Sequence, residues 1–188
     1  MERRPGLGGD ISDPDTADLV RRVANLLRPG TVVAVDCAKA RVKVRIGKIA
    51  TAWLPWITRR AGPDITWWAP EVGEQVMVLS PSGNLALGVV LGSIYQNAFP
   101  APASSADTAV MQWKDGTTVV YDRAAHKLTV HCVGEVEITA ATKVTVTAPA
   151  ILLVGEVTID GNVSVQGSVT ASGSVIDAKG NTNHHVHG

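Results

Sequence analysis

The sequence predicts a mainly β protein in three parts: a short N-terminal helix, a small closed barrel, and a β-helix wound from three copies of the chain. Three observations carry this. All eight aromatic residues lie before residue 122, so Asp122 to Gly188 holds 67 residues with none. That stretch is dense in valine and threonine, whose branched side chains suit a pleated surface, yet it lacks the bulk that fills a compact monomeric core. Within it glycine recurs at 155, 161, 167 and 173, and valine at 157, 163, 169 and 175. A fixed period of strand plus tight corner marks a solenoid.

Each part follows in order. Residues 1–12 read as a flexible lead. A helix is expected from Pro14 to Arg28: Ser12 or Asp13 can cap it, Pro14 fits the first turn, and Asp15 and Asp18 suit its positive end. Leu19, Val23, Leu26 and Leu27 form one apolar stripe at helical spacing, and Pro29-Gly30 closes the run. The stripe fits packing on the helix's own domain and docking on a partner equally well. Lead and helix together take 1–29.

Residues 30–98 read as an OB-fold barrel. Thr31–Cys37 and Arg41–Ile46 are strands. Val42, Val44 and Ile46 face one way, and Arg41, Lys43 and Arg45 the other. Ile49–Ile57, Gln75–Leu79 and Leu85–Leu91 complete five short strands, with turn signals at Ala61-Gly62-Pro63-Asp64 and Pro81-Ser82-Gly83-Asn84. A linker with Pro100 and Pro102 is expected over 99–112. The β-helix occupies 113–188, opened by the hairpin signal Trp113-Lys114-Asp115-Gly116-Thr117. Alternation follows in Val136/Ile138, Val144/Val146, Val157/Ile159 and Val163/Val165. A left-handed single-chain prism needs about three hexapeptides per coil and several coils, and the hexads here make little more than one. Three intertwined chains share a thin core that valine and alanine can fill, and leave few open edges.

Composition narrows the function. Lys+Arg and Asp+Glu are both 17, so the net charge is zero, and general binding to nucleic acid or acidic membrane, which rests on surplus positive charge, is disfavoured. No apolar run approaches the ~18 residues of a membrane span. The first ten residues hold no apolar signal-peptide region, which fits folding in a reducing cytoplasm. Cys37 and Cys132 form neither a disulfide framework nor a CxxC zinc site.

Trp53, Trp56, Trp67 and Trp68 beside Arg41, Lys43 and Arg45 raise the alternative of an OB-fold nucleic-acid binder. The contrary reading places the tryptophans in the barrel core and subunit contacts, and zero net charge favours it. A hexapeptide-repeat acyltransferase is the other alternative, but it needs more hexads and a catalytic histidine between coils. There is no GxSxG and no P-loop. His126 and His131 read as ordinary histidines in a strand-rich region, so no catalytic or cofactor-binding residue is assigned.

The C-terminal histidines are different. His184, His185 and His187 crowd into four residues. In an extended strand, residues two apart point the same way, so His185 and His187 can both face a threefold axis, where three chains offer six imidazoles. Six ligands point away from tetrahedral zinc, toward an iron-like first-row metal.

The chain resembles the phage baseplate assembly protein V family, the central tail-spike proteins of contractile-tailed phages and R-type bacteriocins. The resemblance is carried by Trp53-Leu54-Pro55-Trp56, Pro70-Glu71-Val72-Gly73-Glu74-Gln75-Val76, Pro81-Ser82-Gly83-Asn84 and Gly88-Val89-Val90-Leu91-Gly92-Ser93. Asp115-Gly116-Thr117, Tyr121-Asp122, the valine repeats and His185-Val186-His187 continue it. The order of these motifs is more specific than any one of them. The resemblance implies an OB-fold barrel followed by an intertwined triple-stranded β-helix with a pointed apex. There the His-x-His of three chains, His185 and His187 here, grips one iron ion. It also implies a non-enzymatic homotrimer at the tip of a tail particle, joined to the baseplate hub through the barrel. Sheath contraction would drive it through the outer membrane of the target cell.

Overall fold

The computed structural model describes residues 14–176. Helix α1 spans Pro14–Asn25, three residues shorter than expected, because Leu27–Asp36 is already strand β1. Pro29 cannot continue a helix, and it sits in this strand opposite Met77. Strands β2 (Arg41–Ile46), β3 (Ile49–Ala50), β4 (Gln75–Leu79) and β5 (Val89–Ile94) join β1 in one antiparallel sheet of order β3-β2-β1-β4-β5.

The strand expected over 49–57 is broken after Ala50. The Thr51 hydroxyl accepts from the Val44 amide at 3.0 Å and donates to the Ala52 carbonyl at 2.8 Å, which diverts the chain out of the ladder. The segment then returns twice, at Leu54 beside Val42 and at Trp56 beside Val90. The second return closes the barrel: Val90 donates to the Pro55 carbonyl at 2.9 Å and Ile57 to the Val90 carbonyl at 2.8 Å. Pro55 has no amide to give, so it serves here as acceptor only. The expected strand 85–91 likewise begins late, after 3-10 turns at Pro81–Gly83 and Leu85–Leu87.

Alternation sets the core. Val42, Val44 and Ile46 of β2 turn inward with Val32, Leu54, Val76, Val78 and Val90, and all are buried. The tryptophans do not fill this core, one of the two places the sequence reading gave them; only Trp56 packs partly against it. A barrel this narrow is filled by branched aliphatics, and rings twice their size stay outside.

Strands β6 (Thr108–Gln112), β7 (Thr118–Asp122) and β8 (Lys127–His131) make a separate three-stranded meander. β6 lies where the linker was expected. Neither of its faces is buried, so it carries no strong alternation, and pairing of Val110 with Val120 defines it. The linker therefore ends near Asp107, before the meander. Trp113–Thr117 is a tight hairpin, with Gly116 at φ 95° and the Asp115 carboxylate accepting from the Thr117 amide at 2.9 Å. By its contacts the chain falls into two units, dividing between Val136 and Glu137.

Candidate assembly interface

The chemistry-bearing residues of the barrel do not converge. Lys43 stands over Trp53 at 5.0 Å from the ring centre. Trp67 tilts against Trp56 at 5.4 Å, while Trp68 stacks on Trp113 at 5.7 Å with planes 6° apart. Neighbouring residues of an extended chain point to opposite sides, so Trp67 and Trp68 serve different contacts. The four tryptophans and the basic row of β2 are thus split among separate pairings rather than laid out as one stacking track. His126 occupies a turn at φ 52°, beside Ala125, whose amide donates to the Asp122 carboxylate at 2.9 Å. His131 ends β8 in an exposed position. Among the described residues no group of three His, Cys, Asp or Glu side chains is gathered as a metal would need. His184, His185 and His187 lie outside the described residues.

The surface that stands out follows the meander in the chain and is apolar. From Val133 to Ile176 no described residue is in a strand, and none is buried. Val136, Ile138, Val144, Val146, Val157, Ile159, Val163 and Val165 are all more than half exposed, and Val154 reaches 88%. These are the alternating residues of the sequence repeat. Gly155 and Gly161 take φ 136° and 143°, a region closed to side-chain-bearing residues, so two of the period-six glycines are backbone corners.

A chain of this kind cannot be stable by itself. Each exposed valine or isoleucine forgoes roughly 1.5–3 kcal/mol of burial, and each unpaired backbone amide and carbonyl needs a partner once water is excluded. Strands from other copies supply both: ladder partners for the backbone and an apolar interior for the branched side chains. Sequence reasoning found this surface through the absence of aromatics; it did not foresee the pairings of Trp67 with Trp56 and of Trp68 with Trp113.

Comparison with known proteins assigns the two halves. Residues 28–95 match the type VI secretion system/phage-baseplate injector OB domain. Residues 109–177 match the β-helical trimerization domain of Gp138. The spike protein of Escherichia phage P2 is 38% identical over 136 residues, which are 72% of this chain. The chain belongs to the phage-baseplate spike family. The alignment spans 64% of the length of the P2 protein. The exposed valine ladder of this spike-family chain lies within its trimerization domain, and the closed barrel within its injector OB domain.

Proposed function

We propose that this chain is a homotrimeric tail spike, a mechanical part that perforates the outer membrane of a target cell when a contractile tail fires. The observation that supports it best is the aromatic-free valine repeat from 136 to 176, more than half exposed in one chain and matched to a β-helical trimerization domain. Three such segments wound together pair their backbones around a common axis and have no long loops to bend, which makes a stiff needle suited to transmitting force. The barrel joins the needle to the baseplate hub, and the protein sits at the particle tip after assembly in the bacterial cytoplasm. The work is supplied by sheath contraction, so the reading requires no chemistry on a substrate and no nucleic acid.

An apex metal belongs to the same reading. His185 and His187 of three chains would hold one iron ion through six neutral imidazoles, a donor set that suits a first-row metal with no position left open. Bound iron would tie the three copies together at these histidines. Only neutral imidazole binds, so affinity should fall as pH drops through the histidine range. Elemental analysis of untagged protein is expected to give one iron per trimer, and none in a His185→Ala, His187→Ala variant that remains trimeric. Equal metal in both would refute the site.

The function is tested with tail particles that lack this chain. They should fail to release a periplasmic marker enzyme from target cells, and the chain supplied in trans should restore release. Full release without it would overturn the spike reading.

A further inference from the structure

We propose that α1 is the docking element of the barrel, seating its apolar stripe in an apolar groove of the tail protein that carries the spike. The proposal rests on the spike reading and adds to it the surface and its chemistry. A helix that serves its own domain buries its apolar stripe. This one buries nothing: Leu19 is 60% exposed and Val23 57%, and Val20, Leu26 and Leu27 are exposed as well.

The helix is nevertheless fixed to the barrel, by its other side. Gly83 lies so close to it that a Cβ there would come within 2.4 Å of the Arg22 carbonyl oxygen. Arg21, Arg22 and Asn25 line an open groove of ≈ 600 Å³ against the 82–86 turn. At 3.6 residues per turn, Leu19, Val23 and Val20 stand roughly 60°, 100° and 160° round the helix from Arg22, on the side away from Arg21 and Asn25. The exit is held too, since Ser80 donates to the Leu26 carbonyl at 2.8 Å and Arg28 to the Asn25 side chain at 3.0 Å. The stripe is therefore rigidly presented, not left loose.

Its place on the barrel says what it faces. Leu27 pairs with Leu79 at one end of the sheet, whereas Thr31, Gln75 and Ile94 pair at the other. The chain leaves for the meander from that second end. There Trp68 stacks on Trp113 and Glu71 meets Lys114 at 3.3 Å. α1 thus marks the pole away from the meander, where Leu79 and Leu87 are also exposed. The charges beside the stripe are satisfied within the helix, Asp18 meeting Arg21 at 2.5 Å and Arg22 at 2.6 Å. The partner accordingly needs an apolar groove for anchors one helical turn apart. A trimer offers three such stripes, so modest single affinities multiply.

The test supplies the full-length chain in trans to bacteria whose tail cluster lacks it, then measures its amount in purified tail particles. Wild type and a Leu19→Met, Val23→Ile variant are expected in particles. A Leu19→Asp, Val23→Asp variant should remain a trimer with an unchanged melting curve, yet fall at least tenfold in particles. Equal incorporation of the aspartate variant would overturn the proposal while leaving the spike reading intact. Loss of the trimer itself would also overturn it, by placing the stripe against a second copy of the chain. Absence of wild type from particles would instead refute the spike reading, and the proposal with it.

Discussion

α1 can lie on the barrel because position 83 has no side chain. Gly83 sits at φ 71°, and a Cβ would meet the Arg22 backbone at 2.4–2.9 Å, with no flexible side-chain tip to give way. Gly83→Ala is therefore expected to cost about 1–3 kcal/mol through overpacking and left-handed strain, or to lift the helix off the barrel. Thermal melting with hydrogen exchange at residues 18–25 separates these two results; an unchanged melt and unchanged exchange would contradict the contact. The fully buried Leu54 bridges β2 and the closing segment, so Leu54→Ala should cost about 2–5 kcal/mol, read from denaturant unfolding.

Charge acts more weakly at this scale. A hydrogen bond from Arg21, joined by the charges of Arg22 and Arg21, holds the Asp18 carboxyl below its ordinary value of 3.8 against a desolvation penalty. A depressed folded value means that the stabilisation is complete above the unfolded value and is lost as pH falls below it, through the folded value. The group is well exposed, so salt should screen the effect. Melting of α1 between pH 5 and pH 2 should be pH-dependent in the parent and flatter in Asp18→Asn. Equal slopes would contradict the pair.

Among elements, the strands with one buried face were the most legible. β2 and β4 match their expected limits: Val42/Val44/Ile46 alternate cleanly against basic neighbours, and Val76/Val78 belong to a short apolar run bounded by turn signals. The 49–57 strand and β6 were not. In the first, one threonine hydroxyl diverts the ladder, an event that no periodicity records. In the second, pairing rather than burial makes the strand. The valine repeat was legible for a different reason: its alternation exceeds anything the isolated chain can use. Of the two places expected for the tryptophans, barrel core and subunit contacts, the core was wrong, because the barrel interior is filled by aliphatics. The repeat itself is testable. Val163→Asp puts a charge into the shared interior three times per trimer, and is expected to lower the trimer melting temperature sharply. Ser164→Asp, on the alternate face, should change it little. Equal effects would mean that the alternation does not define an inside.

For the whole molecule, stability and assembly are one process. The barrel has a core of eight aliphatic side chains, enough for a marginal small domain, whereas the described residues of the second unit have none of their own. A chain ending at Ala106 should therefore be a monomer of low thermal stability, and the full chain should melt only with dissociation, at a concentration-dependent temperature. The most direct test is the solution mass of the untagged full-length protein by light scattering. The trimeric β-helix predicts three times the 19.7 kDa chain mass, holding at the lowest concentration measurable. A folded species of single-chain mass would contradict it.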